Sequence, residues 1–342
     1  MRRLLVALLS LVLLPLAAPV GLLLGTAATA HAAEPPQTVA AGRVHPWAIA
    51  VLPDGSALLT ERDSRRIYAV GPAGGLRHLY TVSEAVARGE GGLLGIAVSP
   101  DYLRDQRVYL YYTTARDNRI AYITRGSAAR PTPVVTGIPA ASTHNGGRLA
   151  FSPDGLLFAG TGDAQVPGRA QSRDSLGGKV LRMTKDGRPV PGNPYGTVVF
   201  STGHRNVQGL AFDDRGRLWA SELGQNRYDE INHIQVGNYG WPIVEGRGSD
   251  PRFRAPQHVW SPAEASPSGM AFAGGSLYVA ALRGQRLWQL ELSGTTVTRA
   301  TSTYEGTFGR LRAAVRDPRD GAMWLLTANG RDDRVVRVPR FA

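Results

Sequence analysis

The chain has 342 residues, enough for a large core, and it contains no cysteine. Disulfides, thiolate metal sites, thiol catalysis and a lipoprotein anchor are thereby excluded. Lys plus Arg number 39 against 27 Asp plus Glu, but only Lys179 and Lys185 are lysines. The arginines are scattered, with no dense basic helix and no zinc motif, so nucleic acid is not the expected partner.

Arg2 and Arg3 precede an apolar run from Leu4 to about Leu24, and Ala30-His31-Ala32 supplies the small residues of a cleavage site. Pro15, Pro19 and that site favour a cleaved signal peptide over residues 1–32 rather than a membrane anchor. The mature protein, a single domain over residues 33–342, is then expected to be secreted or periplasmic. Gln37–Ala41 reads as an extended strand.

From there one hairpin recurs. Ala50-Val51 is followed by LPDGSALLTE, Ala97-Val98 by SPDYLRDQRVYLYYT, and Ala150-Phe151 by SPDGLLFAGTGD. Ala211-Phe212 precedes DDRGRLWASELG, Ala271-Phe272 precedes AGGSLYVAALR, and Ala314-Val315 precedes RDPRDGAMWLLTANG. Each copy begins a strand, turns on Asp/Gly-type residues and returns through a β-rich run. The spacings of 47, 53, 61, 60 and 43 residues match four-stranded propeller blades. Apart from one short helical turn expected in Ser83–Arg88, no helical pattern competes. The prediction is an all-β, six-bladed β-propeller with about four antiparallel strands per blade. The last copy leaves too little chain for a full blade, so Gln37–Ala41 is expected to close the ring.

A propeller gathers the residues preceding each inner strand around one end of its axis. Here these include Glu90, His144, Asn145, Arg205, Asn206, Gln208, Arg310 and Arg312. A purely structural repeat would want small or apolar residues there; converging arginines suit an anionic ligand. In THNGGRLAFSPDGLLFAGTGDA, residues 143–164, a turn on Asp154 and Gly155 returns Asp163 level with Gly146, within reach of His144. That pair is a candidate general base with its orienting carboxylate, although a polar loop would read the same way. Further on, SELGQNRYDEINHIQVGNYGWP gathers Glu222, Asp229, Glu230, Asn232 and backbone carbonyls, a donor set suited to calcium but without EF-hand spacing. His204 adjoins the ring, but its direction is not set by the sequence; His45, His78, His233 and His258 read as structural or surface residues.

The ordered strings GEGGLLGIAVSPDY, HNGGRLAFSPDGLLFAGTGDA, SLGGKVLRMTKDG, GHRNVQGLAFD, SELGQNRYDEIN, NYGWP, SPSGMAF and GRLRAAV cover most of residues 45–330. Together they resemble the soluble quinoprotein sugar dehydrogenases of the glucose/sorbosone dehydrogenase family, and within it the aldose branch. The resemblance implies a propeller holding pyrroloquinoline quinone (PQQ) and calcium at its axial face. It makes His144 the catalytic base, Asp163 its orienting partner, and Arg205 and Asn206 the groups around the reactive quinone carbonyl. Arg310 and Arg312 would hold cofactor carboxylates. The backbone oxygens of Gly224 and Gln225 would bind the cofactor's calcium, and Glu230 with the carbonyl of Tyr239 a second, structural one.

The implied reaction oxidises an aldose at its anomeric carbon to a lactone. Hydride passes to PQQ, calcium acts as Lewis acid, Arg205 stabilises developing charge, and electrons leave to an external acceptor. Glu90 replaces a glutamine of the glucose-specific members, no lysine follows SPSGMAF where those members carry one, and their long insertions are missing. A more open, less selective pocket is therefore expected. The rival readings are a calcium-dependent lactonase, which should converge acidic side chains on the axis, and a non-catalytic propeller for glycan or protein binding.

Overall fold

Pro153-Asp154-Gly155 closes the inner hairpin of the third repeat as a tight turn. The amide of Gly155 donates to the Ser152 carbonyl and that of Ser152 to the Leu156 carbonyl, both at 2.9 Å. Gly155 sits at φ +82°, a left-handed conformation that glycine adopts without a steric cost. The same pattern recurs at Leu52–Ser56 and Asp213–Arg217. Phe151 consequently pairs with Leu157, one residue from the register expected of a turn centred on Asp154 and Gly155.

In the computed structural model, residues 34–339 and 341 are described; the expected signal peptide lies outside them. Six antiparallel sheets account for the repeats. Their innermost strands are Pro46–Val51, Leu93–Val98, Leu149–Phe151, Val207–Phe212, Pro267–Ala273 and Leu311–Arg316, and each carries one copy of the Ala-Val/Phe pair. Gln37–Arg43 pairs with Asp333–Val338 and completes the last blade, closing the ring as expected. Ser83–Arg88 forms turns rather than helix; the short helix lies at Tyr102–Asp105 instead. Val82 and Ala85 in that region are buried against the first core cluster, so extended packing outweighs the local helical preference.

Inner strands are buried on both faces, whereas outer strands such as Thr296–Thr303 are half exposed. The core therefore lies between neighbouring blades, with Trp219, Trp324, Tyr109, Tyr111 and Tyr112 fully buried. Polar rungs join blades near the axis. Thr60 Oγ1 donates to the Leu94 carbonyl at 2.7 Å, Tyr111 Oη to that of Asn145 at 2.9 Å, and Ser221 Oγ to that of Ser268 at 2.6 Å. Five of the six inner pairings carry a register shift at the start of the inner strand. Such bulges turn the preceding residues out of the ladder, which is how the ring of polar side chains comes to face the axis. The third blade gains a short parallel strand, Gly237–Asn238, which brings the NYGWP segment to the same end.

Candidate active site

His144 stands at φ +57°, just before the inner strand of the third blade. Gly146 and Gly147 also have positive φ, and a Cβ on Gly146 would lie 2.5 Å from the Thr161 α-carbon. The two glycines thus let the loop lie directly on the returning strand. His144 Nδ1 is 2.8 Å from Asp163 Oδ1, and Asp163 is fully buried. The other carboxylate oxygen accepts from Trp241 Nε1 at 2.8 Å, and the Gln165 amide donates to Oδ1 at 2.9 Å. His144 Nε2 faces Arg205 Nη2 at 2.9 Å. A guanidinium can only donate, so Nε2 accepts and the ring proton sits on Nδ1, pointing at Asp163. That is the tautomer a base needs. Trp241 was not singled out from the sequence, although NYGWP carries it; its part depends on a contact 78 residues away.

Burial alone would raise the Asp163 carboxyl, but the bonds from His144, Trp241 and Gln165 outweigh it and hold the group below its ordinary value. A carboxyl depressed on folding contributes stability above its unfolded pKa, near 3.9, and loses it as pH falls through the lower folded value. The melting-temperature gap between wild type and Asp163→Asn is therefore expected to be widest near neutrality and to narrow below about pH 4. A gap independent of pH in thermal melts would contradict this.

Arg205 is fixed from three sides. Its backbone amide donates to Glu222, Nη1 donates to the Leu223 carbonyl at 3.2 Å, and the guanidinium lies 5.5 Å from the Trp241 ring centre. Its Nε is buried without a partner. The adjacent His204 turns into the core, with Nδ1 2.8 Å from Glu222 Oε2, Nε2 2.8 Å from Ser201 Oγ, and its ring stacked on Tyr239. Glu222 thus ties both residues to the fourth blade. Asn206 Oδ1 accepts from the Gly146 amide at 3.0 Å, and Glu90 Oε2 accepts from the His144 amide at 3.0 Å. All the expected catalytic residues meet here.

Beside them a cavity of about 290 Å³ is walled by Glu90, Gln208, Leu223, Arg283, Arg310 and Arg312, among others. Arg312 is bonded to Gln208 Oε1 at 2.8 Å. Among the described residues neither Arg310, Arg312 nor Arg283 forms a salt bridge. Burial pushes the Arg312 guanidinium down to about 10, with Arg62 and Arg310 adding repulsion. Behind it Arg148 is pushed down to about 9 by burial and by Arg312, and its Nη2 is buried without a partner. Against these arginines Glu90 is the one carboxylate in the cavity wall, and the excess of positive charge suits a planar polycarboxylate. Arg283 stands on the return of the fifth hairpin; it supplies the positive charge sought immediately after SPSGMAF, where the first strand of that blade carries none.

The expected calcium positions rest largely on main-chain oxygen, and among the described residues no three His, Asp or Glu side chains form a metal cluster. Glu245 Oε1 accepts the amides of Gln225, Asn226, Arg227 and Tyr228 at 2.7 to 3.2 Å. In a trans peptide the carbonyl points opposite the amide hydrogen, so the Gly224 and Gln225 carbonyls are turned away from Glu245. The donor chemistry fits a hard cation, and Glu245 is a shaping residue that the sequence reading missed. Glu230 lies opposite Glu222 in the neighbouring strand. Burial, reinforced by Glu222, pushes the Glu230 carboxyl up to about 8. The Asn232 side chain donates to Glu230 Oε2 at 3.0 Å while its own Oδ1 stays buried and unpartnered, so this position also suits a cation.

The Glucose / Sorbosone dehydrogenase family matches residues 43–337. The chain belongs to this family. Aldose sugar dehydrogenase YliI of Escherichia coli is 30% identical, over 86% of this chain and 90% of its own. Quinoprotein glucose dehydrogenase B of Acinetobacter calcoaceticus is 34% identical over 60% of this chain, which spans only 52% of that longer relative. The PQQ-bound aldose sugar dehydrogenase of Streptomyces coelicolor superposes with a TM-score of 0.85 at 46% identity, covering 88% of this chain and 96% of its own.

Proposed function

We propose that the protein is an exported PQQ-dependent aldose sugar dehydrogenase that oxidises sugars at the anomeric carbon to lactones. One observation carries the reading: a His144–Asp163 pair in the base-competent tautomer adjoins a cavity where Arg283, Arg310 and Arg312, none in a salt bridge among the described residues, outnumber the single lining carboxylate, Glu90. PQQ, when bound with calcium, supplies the two-electron acceptor and the Lewis acidity. The chain's own residues do the rest. Arg310, Arg312 and Arg283 hold the anionic cofactor, and the Gly224 and Gln225 carbonyls hold its cation. Arg205 caps His144 Nε2 until a sugar hydroxyl replaces it; His144 then takes the hydroxyl proton while Asp163 steadies Nδ1–H. Glu230 and the Tyr239 carbonyl hold a second calcium.

The arginine lining favours this over a lactonase, whose axis needs converging carboxylates. The test is reconstitution of purified protein with PQQ and calcium, followed by dye reduction over a panel of aldoses. Activity is expected only with both added. Arg310→Ala and Arg312→Ala should each raise the PQQ needed for half activity about tenfold or more, since each removes a charge-assisted contact. Unchanged titrations in both variants would remove these arginines from the cofactor site. Several mono- and disaccharides should be accepted; preference for one sugar beyond about ten-thousandfold would show a closed, fully hydrogen-bonded pocket instead.

A further inference from the structure

The arrangement at His144 has a counterpart in the first blade. His45 also precedes an inner strand at positive φ, +50°, and its Nδ1 lies 2.6 Å from Asp63 Oδ2, a residue returned by the same hairpin. Asp63 is held in turn by Arg62, whose Nε donates to Oδ1 at 2.6 Å. The two imidazoles differ at the other nitrogen. His144 Nε2 meets a guanidinium donor, whereas among the described residues His45 Nε2 has no hydrogen-bond partner. It faces the Gly330 turn, 3.9 Å from where a Cβ on that glycine would stand.

His45 lines a cavity of about 240 Å³ with Arg62, Arg310, Arg312 and Asn329. This cavity shares Trp47, Arg62, Arg310 and Arg312 with the axial one, so the two adjoin. The charges around His45 can be counted. On the first blade Arg62 is matched by Asp63, and Glu61 by Arg43 at 3.2 Å. On the sixth, Asp333 is committed to Thr327 Oγ1 and to the amides of Asn329 and Gly330. Glu90, in the wall of the adjoining cavity, attracts Arg312 without forming a salt bridge to it, so Arg310 and Arg312 outnumber it and a charge on His45 adds to that excess.

We propose that His45, oriented by Asp63, is a carboxylate-binding residue at this edge of the axial cavity, and that as an imidazolium it makes anion affinity pH-dependent. With Nδ1–H donated to Asp63, a second proton on Nε2 supplies a charged donor in the cavity wall beside the Gly330 turn; loss of that proton leaves a lone pair, which cannot donate to an anion. Affinity for a polycarboxylate should fall as pH rises through the imidazole range, while ligand carboxylates stay ionised throughout. The inference rests on the cofactor reading above, and the experiment separates the two.

Equilibrium binding of PQQ is followed by quenching of tryptophan emission at about pH 5.5 and about pH 8, on either side of the ordinary imidazole pKa. Wild type is expected to bind roughly tenfold more weakly at the higher pH, the scale of one charge-assisted contact. His45→Asn, whose side chain tolerates positive φ, should bind at both pH values about as wild type does at pH 8. His144 is present in both proteins, so any contribution from it cancels in the comparison, and His78→Asn on the exposed outer strand should keep the wild-type slope. Equal slopes in wild type and His45→Asn, or no slope in wild type, overturn the assignment. Benzene-1,3,5-tricarboxylate is titrated in parallel. If it binds with the His45-dependent slope and PQQ does not bind, the cofactor reading falls and the anion site stands; if neither binds at either pH, both fall.

Discussion

His144→Gln is expected to cut turnover by ~10²–10⁴, the contribution of a positioned general base, while leaving folding and PQQ binding intact. The side chain is partly exposed rather than packed in the core, and Gln can still reach a hydrogen-bond partner. What it cannot do is accept and carry a proton. Asp163→Asn should lose less, because the base remains and only its tautomer and orientation are disturbed. Asn can keep the Trp241 bond, which now reaches Asp163 Oδ2 at 2.8 Å, but an amide nitrogen turned toward His144 Nδ1 would favour the wrong ring tautomer. The measurement is steady-state kinetics on cofactor-saturated variants after stoichiometric PQQ binding has been confirmed. Near wild-type turnover of His144→Gln at saturating sugar would remove the base from the mechanism.

Much of this site is legible in the sequence because a propeller repeats. Once the Ala-Val/Phe copies set the period, every residue just ahead of an inner strand was assigned to one ring, and His144, Arg205 and Arg312 fell into place. The closing strand followed from counting the chain left after Ala314. What stayed hidden depends on long-range contacts without a local pattern. Trp241 reaches Asp163 only because Gly237–Asn238 adds in parallel to the third blade. Arg283 comes from the turn after the second strand of its blade, whereas the cation was sought after the first. Glu245 is aspecific in sequence and acquires its part by receiving four amides of a distant loop. His45 reads in the sequence as a structural or surface histidine, although the hairpin count that returns Asp163 to His144 also returns Asp63 to its side. The one-residue error at Asp154–Gly155 is of another kind: the bulged turn takes one residue more than a two-residue hairpin, and His144 still reaches Asp163 because their pairing is made beyond the regular ladder.

Gly162→Ala is expected to disable the enzyme without touching any group that handles the sugar. A Cβ on Gly162 would fall 1.9 Å from the His144 carbonyl oxygen and 2.4 Å from its carbonyl carbon. Both are backbone atoms, so no rotamer change relieves the clash, and the loop must move by about an ångström or more before ordinary contact is restored. That loop cannot move freely: Ala164 donates to the same His144 carbonyl at 3.1 Å, and the Gly146 amide is held by Asn206. Displacing His144 relative to Arg205 and the cavity by this distance should lower turnover about 10²-fold, the scale at which misplaced groups lose catalysis. Overpacking the strand should also cost about 1–3 kcal/mol of stability. Gly168→Ala is the matching control, because a Cβ there meets nothing within 4 Å. Thermal melts and turnover of cofactor-saturated protein would be measured for both. If Gly162→Ala behaved like Gly168→Ala, the close seating of the His144 loop on the returning strand would not be what positions the base.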